Sequence, residues 1–506
     1  MTEQEFAEQI EQAGGRLYVV GGWVRDTIRG TEPHDKDYVV TGVSEAAFES
    51  LYPDARRMGK RFPVYRLRVG AMFREVAFAR HEVKTGPGHR GFDVMYDGSV
   101  TIQDDLERRD TTVNSMAVLL GSGAGPEAKS GLGSAFGHEF APELGRLIDP
   151  FGGAEDIARR IIRATSKHFT DDPVRALRAA RQSAQFDYSI EPDTIRQMIA
   201  CRSELRDEPT ERIMHELRLA LETDKPSVFF LALLESDLLD ATFPWLQALV
   251  GIGEDEDADE FVRAMQALDD VAAISDRPEI RFAALTCRIG PEPDPEEEQR
   301  REEQRRADMR KADLRQENLR QEEWRREERR QEDRRHGDRR QNTEASDNWQ
   351  EVERRQAVKR QGDNNHQGDR RQEERRLAAA AYSGLEVFLG LQALEDWNKR
   401  MPLPGLWMAC AKFAIKESSR VDRLSRPGEI ADFLSLLERH PIGTDGIIAV
   451  MSSGGHKIPP FLRRSREYYR AMREVSGHDI PEDLTGPRRG QWLRARRIES
   501  VAKILM

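Results

Sequence analysis

The chain has 506 residues and a formal net charge of −11 at pH 7, since 79 Lys and Arg residues face 90 Asp and Glu residues. This length exceeds what one hydrophobic core usually supports, so we expect three or four domains. The negative net charge argues against a general binder of polyanions. The acidic start and the short, interrupted apolar stretch over 377–391 predict neither a signal peptide nor a membrane span.

The cysteines are few and far apart. Cys201, Cys287 and Cys410 show no CxxC or Cys/His spacing. We therefore expect no disulfide framework and no zinc site, which is typical of a cytoplasmic protein.

The first 120 residues or so mix strand and helix signals. An apolar run over 17–20 ends in a glycine pair, and a helix is predicted to follow over 23–29. Strands are predicted over 35–40 and 73–78. A glycine-rich loop is expected over 121–137, and helical periodicity takes over from 156 to about 240.

Residues 291–376 differ from the rest of the chain. From Arg300 the sequence falls into five-residue units whose central position changes from apolar Met309 and Leu314 to Arg329 and Arg334. A pentapeptide β-helix needs an apolar residue there in every unit, so no such core can close. We interpret the segment as a charged low-complexity insertion, flexible or singly helical.

Helical patterns return over 377–437 and 468–506. Between Lys457 and Met506, 12 Lys and Arg residues exceed 6 Asp and Glu residues, which gives a local charge of +6. A basic tail on an acidic body suits a protein that grips nucleic acid with one surface. A solvated helical end is the alternative.

The pattern that carries chemistry is Gly21-Gly22, followed by Asp35-Lys36-Asp37. A glycine pair between a strand and a helix lets backbone amides approach a phosphate chain. Because strand side chains alternate, the two aspartates are expected on one face with the lysine pointing away. Such a pair needs a cation, and hard oxygen ligands favour Mg²⁺. Exposed loop aspartates are the alternative.

With these residues, the chain resembles the nucleotidyltransferase superfamily and, more narrowly, the class II bacterial CCA-adding enzymes and their poly(A) polymerase relatives. Further motifs follow in the family's order, at 74–80, 84–91, 104–114, 149–156, 171–181 and 210–216. The resemblance covers roughly residues 16–290 well and the last 50 weakly.

The resemblance implies an α+β fold, in which a nucleotidyltransferase palm of mixed β-sheet and helices precedes all-α neck, body and tail domains. The expected domains are a palm over 1–150, a neck over 151–222, a body over 223–290 plus 377–455, the insertion over 291–376, and a basic tail over 456–506.

The resemblance also implies roles for single residues. Asp35 and Asp37 would hold two Mg²⁺ ions, and Glu75 is the candidate third carboxylate, with an exposed strand glutamate as the alternative. The triphosphate would be bound by Gly22, Arg25 and Arg109. Arg108 and Asp110 would serve the ribose or form structural salt bridges. Phosphate contacts to RNA are expected from tail residues Arg488, Arg489, Arg494, Arg496 and Arg497.

Nucleotide choice is assigned to Asp172 and Arg175, which at i and i+3 would share a helix face, with Arg178 and Arg181 further along. A carboxylate accepts from the exocyclic amine of cytosine or adenine, while uracil and guanine present an oxygen there. Two facing acceptors leave a buried carboxylate unpaired, which costs about 1–3 kcal/mol. The pair can therefore select C and A without a nucleic-acid template.

One segment departs from the family. Some relatives carry a His-Asp phosphohydrolase pair where this chain has Cys287 and Arg288, so we expect no phosphohydrolase activity.

The expected function is addition of C, C and A to the 3′ end of tRNA from CTP and ATP. The alternatives are a poly(A) polymerase, a partial enzyme adding only CC or only A, and a non-catalytic RNA-binding scaffold. The expected partners are tRNA, CTP and ATP, with no membrane and no obligate protein partner.

Overall fold

The computed structural model describes residues 1–33, 35–58, 62–86, 91–121, 146–252, 259–287 and 390–505. Residues 1–290 and 387–506 group into one unit by their contacts. The predicted insertion over 291–376, most of the loop over 121–137 and residues 87–90 of the motif at 84–91 lie outside the described residues.

A seven-stranded mixed sheet forms the N-terminal part, with strand order β3-β4-β5-β2-β1-β8-β9. Within it β2 and β5 run parallel, while the other neighbours are antiparallel. A separate hairpin pairs β6 with β7. The strands are β1 Arg16–Val20, β2 Asp37–Thr41, β3 Arg56–Arg57, β4 Val64–Val69, β5 Met72–Phe78, β6 His81–Lys84, β7 Phe92–Met95, β8 Ala117–Leu120 and β9 Arg146–Ile148.

Helices dominate the rest of the chain, so the expected α+β fold class is confirmed. Before residue 288 they are α1 Glu3–Gln12, α2 Gly22–Arg29, α3 Glu45–Leu51, α4 Ile102–Glu107, α5 Gly153–Arg159, α6 Val174–Phe186, α7 Pro192–Ala200, α8 Arg202–Leu205, α9 Thr210–Leu221, α10 Ser227–Glu235, α11 Leu239–Thr242, α12 Pro244–Gln247, α13 Glu260–Ala272 and α14 Pro278–Thr286.

The helical pattern continues after the gap. Residues 390–400 are helical, and then come α15 Gly405–Glu417, α16 Pro427–Leu437, α17 Gly443–Ser453, α18 Pro460–Arg463, α19 Ser465–Glu474 and α20 Pro487–Leu505. Two short strands, β10 Ile161–Ile162 and β11 Ser189–Ile190, pair in parallel beside α6.

The two faces of the sheet differ, because alternate side chains of each strand point to opposite faces. One face buries Leu17 and Val40 in the main core, together with residues of α1 and α3. The other face carries a smaller core around Val20 and Val39 that includes Leu106 of α4. That second face becomes exposed towards β5, β4 and β3, and this opening is where the candidate site lies.

The segments on either side of residues 288–389 share one core. Phe282 of α14 stacks on Trp397 with ring centroids 6.0 Å apart, and α14 packs along α15. The buried guanidinium of Arg281 donates to four backbone carbonyls at the ends of α9 and α13, those of Leu221, Thr223, Ala272 and Ser275. Burial lowers the pKa of Arg281. The exact domain boundaries remain predictions.

All three cysteines lie among the described residues, and none of them forms a disulfide. Within the described ranges no helix combines the length and the apolar character needed to cross a bilayer.

Candidate active site

Two of the three candidate metal-site carboxylates are direct neighbours on the sheet. The parallel register of β2 and β5 pairs Asp37 with Glu75. Asp35 precedes the strand, so the prediction that β2 begins at residue 35 was wrong, and strand alternation does not position that carboxylate. The reason is that Asp37 already pairs with Val20, the last residue of β1, after which the chain turns at Gly21.

The environment of these carboxylates is uneven. The Asp35 side chain is 87% exposed and lies 3.5 Å from the Arg74 guanidinium. Partial burial and then the charge of Glu75 raise the pKa of Asp37, and the nearby Arg109 opposes this. Lys36 points away, as predicted, and its Nζ lies 2.9 Å from both carboxylate oxygens of Glu3.

This donor set fits a divalent cation that keeps part of its shell for water and substrate. Among the described residues, no three His, Cys, Asp or Glu side chains are grouped closely enough to hold a metal ion by themselves. Magnesium is usually bound by one or two carboxylates together with substrate phosphates rather than by a complete protein cage. Asp37 and Glu75 supply two such oxygen donors, and the raised pKa of Asp37 reflects its partial desolvation first and the negative charge of Glu75 second.

The predicted phosphate-binding residues lie on the β1 side of the carboxylates. Gly21 adopts a positive φ of 69°, and a Cβ there would meet the Arg109 guanidinium at 2.9 Å, so only glycine fits. The Arg25 guanidinium donates to Asp26 at 2.8 Å and 2.9 Å and to the Asn114 side chain at 2.6 Å. Gly22 begins α2, and a Cβ there would lie 3.5 Å from the Arg25 guanidinium.

A buried carboxylate that the sequence analysis did not single out holds the arginines of α4. Asp105 is fully buried and accepts from the guanidinium groups of both Arg108 and Arg109. Burial alone would raise its pKa, but the two arginines outweigh that effect and lower it to about 2. The i+3 and i+4 spacing of the two arginines from Asp105 was the available signal.

Asp110 is also buried and structural in this state. It accepts from Arg178 at 2.7 Å, from Gln182 at 3.0 Å and from Asn114 at 3.2 Å. These contacts lower its pKa despite burial. Of the two roles considered for Asp110 and Arg108, the structure displays the salt bridges.

The geometry of the selection residues differs from the prediction. Helix α6 begins at Val174, and Asp172 precedes it in an extended conformation, so the expectation that Asp172 and Arg175 share a helix face was wrong. Pro173 is the N-cap residue, because a proline disfavours helical geometry in the residue before it. The backbone N–H of Arg175 still donates to the Asp172 carbonyl at 3.0 Å.

Asp172 is held by an arginine from another helix. Arg212 of α9 donates to its two carboxylate oxygens at 3.0 Å and 2.7 Å. Burial opposes ionisation, but Arg212 and then Arg175 lower the pKa of Asp172. The Arg175 guanidinium donates to the His168 carbonyl and lies 3.9 Å from Glu82 of β6. The motif at 210–216 thus supplies the partner that fixes Asp172.

Four of the other predicted arginines already have acidic partners: Arg178, Arg181, Arg494 and Arg496. Besides Asp110, Arg178 lies 3.8 Å from Glu216, which also accepts from Arg181 at 2.6 Å. In the tail, Arg494 makes a two-point contact with Asp432, and Arg496 pairs with Glu499 at 2.7 Å. The remaining three arginines predicted to contact RNA have no described acidic partner, and of these Arg488 and Arg489 are exposed while Arg497 is partly buried.

Comparison with known proteins agrees with this geometry. Residues 17–163 match the family model described as the poly A polymerase head domain. Residues 187–249 match a second model, described as a probable RNA and SrmB binding site of polymerase A. The multifunctional CCA protein of Nitrosococcus oceani is 36% identical over 288 residues. The chain resembles bacterial CCA-adding enzymes.

That alignment covers 56% of this chain and 64% of the Nitrosococcus protein, so the chain spans less than two thirds of this relative. Solved structures with a similar fold were also found. A CCA-adding enzyme with ATP matches with a TM-score of 0.55 at 17% identity, covering 98% of this chain and 88% of that one. A tRNA-processing enzyme with CTP matches with a TM-score of 0.52 at 16% identity, covering 97% and 98%.

Proposed function

We propose that the chain adds C, C and A to the 3′ end of tRNA, using CTP and ATP and two Mg²⁺ ions. The observation that carries this proposal is the pairing of Asp37 with Glu75 beside the guanidinium of Arg109. Nucleotidyl transfer requires carboxylates that bind cations next to groups that bind phosphate. The resemblance to CCA-adding enzymes, one solved with ATP, narrows the reaction class to CCA addition.

The residues on the β1 side bind the triphosphate. Arg109 is held by Asp105 and Arg25 by Asp26, so both guanidinium groups are fixed before the nucleotide arrives. Backbone amides at Gly22 lie at the start of α2, where the helix dipole favours phosphate. This preorganisation lowers the entropic cost of aligning the α-phosphate with the RNA 3′-hydroxyl.

Asp35 and Asp37 would hold the cations, with Glu75 as the third carboxylate. Bound Mg²⁺ would lower the pKa of the 3′-hydroxyl and stabilise charge on the α-phosphate and the leaving pyrophosphate. The protein's own contribution is to hold the acidic oxygens of Asp37 and Glu75 on neighbouring strands, with the Arg109 guanidinium beside Gly21 at the end of β1.

Asp172 and Arg175 select the base. A carboxylate oxygen has two lone pairs, so Asp172 can accept from an exocyclic amine while Arg212 continues to donate to it. Arg212 thereby orients the Asp172 carboxylate towards the base and keeps it ionised. Arg175 would release the His168 carbonyl and donate to the ring nitrogen or carbonyl of the incoming base.

The test is incubation with Mg²⁺, labelled CTP or ATP, and tRNA ending at the discriminator base. Growth by three nucleotides in the order C, C, A supports the proposal. Long A-tails would indicate a poly(A) polymerase, growth by CC or A alone a partial enzyme, and no growth an RNA-binding scaffold. Chelating Mg²⁺ with EDTA should abolish extension of the RNA, and Mg²⁺ added in excess of EDTA should restore it.

A further inference from the structure

Beyond the carboxylates, the open face of the sheet carries an unusual row of arginines. Antiparallel pairing sets Arg56 of β3 opposite Arg66 of β4, and Arg66 opposite Glu75 of β5. Since Glu75 pairs with Asp37, one row runs from the candidate metal site to the sheet edge. A second pair, Arg68 and Phe73, lies beside this row. We call Arg56, Arg66, Arg68 and Phe73 the arginine ledge.

No ion pair within the described part of the chain accounts for the ledge. All four side chains are exposed, and no described acidic residue forms an ion pair with its three arginines. Arg66 lies over the ring of Phe73, with 5.2 Å between guanidinium carbon and ring centroid. Like charges directly opposite each other on neighbouring strands destabilise a sheet. An external anion would compensate for this cost.

Protection of the sheet edge against aggregation is the ordinary reason for charges on an outer strand. It does not account for this arrangement. Arg66 and Arg68 lie on β4, an interior strand, and they project from the face rather than along the edge. Phe73 is 60% exposed, and an exposed aromatic side chain does the opposite of protecting a sheet.

The position of the ledge indicates which of the two substrates, the RNA or the nucleotide, it faces. Arg25 and Arg109 lie towards β1, whereas the ledge lies towards β4 and β3, across Asp37 and Glu75. In phosphoryl transfer the attacking and leaving oxygens are roughly in line, so the attacking RNA approaches from the side opposite the pyrophosphate. At about 4.8 Å per strand, Arg66 lies roughly 10 Å and Arg56 roughly 15 Å from Asp37.

We infer that the arginine ledge binds the RNA strand that is being extended, through its phosphates and one stacked base near the 3′ end. This inference rests on the proposed function for the identity of the RNA. Guanidinium groups suit phosphate oxygens, and an exposed aromatic ring with an arginine beside it is a stacking platform for a nucleobase. The net charge of −11 makes such a local cationic surface a specific feature of this face.

The experiment compares two sets of variants of the full chain. Arg56→Gln, Arg66→Gln and Arg68→Gln are combined, and Arg57→Gln is the matched control. Arg57 neighbours Arg56 on β3 but points to the other face, where it pairs with Glu45 at 2.9 Å. Binding of tRNA lacking CCA is measured without Mg²⁺ or nucleotide over a range of salt concentrations, and KM is measured for RNA and CTP.

The ledge variant should bind this RNA at least about tenfold more weakly, and its salt dependence should be shallower by about two in log–log slope, since each phosphate contact contributes about 0.7–0.9. Its KM should rise for RNA but not for CTP. Phe73→Ala should raise the RNA KM about fivefold, and Met72→Ala, its exposed neighbour, should not.

Unchanged RNA affinity in the triple variant, or an equal loss in Arg57→Gln, would overturn the inference while leaving nucleotide addition intact. A wild-type dimer that dissociates in the triple variant would assign the ledge to self-association and would equally overturn it. If instead RNA binds through the ledge but no nucleotide is added, the proposed function fails and the binding surface stands.

Discussion

The acidic residues of the site fall into two groups that look alike in sequence and differ in structure. Asp35, Asp37 and Glu75 are exposed, and Asp35 lies 3.5 Å from the Arg74 guanidinium. Asp105 and Asp110 are buried, and each accepts several hydrogen bonds.

The pKa values of the two groups shift in opposite directions. Asp37 remains exposed, yet partial desolvation by the surrounding protein and the neighbouring Glu75 raise its pKa, whereas arginines lower the pKa of the buried Asp105 to about 2. A carboxylate with uncompensated charge has affinity left for a cation, while one saturated by arginines supports the fold. Asp172 is intermediate, since it is partly exposed and ion-paired yet has lone pairs to spare.

The largest expected effect is on catalysis. Asp37→Ala should slow nucleotide addition at least about a thousandfold, because metal-assisted charge stabilisation supplies several kcal/mol and each 1.36 kcal/mol is tenfold in rate. Its melting temperature should change little, since the side chain is exposed. Single-turnover addition of CMP measures the rate, and a near-normal rate would remove Asp37 from the reaction.

The next largest effect is expected on stability, when the buried carboxylate of Asp105 is neutralised. Asp105→Asn should lower the free energy of unfolding by about 3 kcal/mol, because it leaves two arginines without their buried counter-charge. Asp104→Asn is the matched control, since the Asp104 side chain caps α4 near its start and should cost less. Urea unfolding with both variants tests this, and equal losses would contradict it.

The same residue gives a pH dependence. The folded pKa of Asp105 is about 2 and the unfolded value is about 3.9, so its contribution is complete above about pH 4 and is lost as the pH falls towards 2. Asp105→Asn should therefore show a flatter loss of stability between pH 4 and pH 2. Thermal melts of both proteins at several pH values over this window check the sign.

A smaller effect is expected on nucleotide choice. Asp172→Ala should raise misincorporation of UMP or GMP more than it slows CMP addition. Arg212→Gln should have the same effect in weaker form, because it removes the residue that orients Asp172. Competition assays with all four nucleotides measure selectivity. Equal rate loss for every nucleotide, with selectivity unchanged, would argue against a templating role.

The sequence predicted the architecture and the motif positions well because these depend on local patterns. The glycine pair before α2 and the strand containing Glu75 could be located from periodicity and turn residues alone. The direct pairing of Asp37 with Glu75 could not be read from the sequence, since the register depends on pairing between strands that are far apart in sequence.

What could not be predicted is which arginine holds which carboxylate. Asp172 and Arg175 were expected to face the incoming base together from one helix, whereas the residue that holds Asp172 is Arg212, forty residues later. Asp105 was overlooked because nothing in its motif distinguishes a buried aspartate from the exposed Asp104 beside it. Burial and partner choice arise from tertiary packing, which local spacing does not encode.

The smallest expected effect concerns the tail, where exposed pairs should matter little for the fold. Arg494 contacts Asp432 through both carboxylate oxygens, yet both side chains are exposed, so Asp432→Asn should leave the melting temperature almost unchanged. The same change frees a guanidinium for phosphate and should strengthen RNA binding about twofold at low salt, an advantage that disappears at high salt. Glu499→Gln, which frees Arg496 in the same helix, provides the comparison. If both variants bind RNA like the wild type at every salt concentration, Arg494 and Arg496 lie outside the RNA-binding surface.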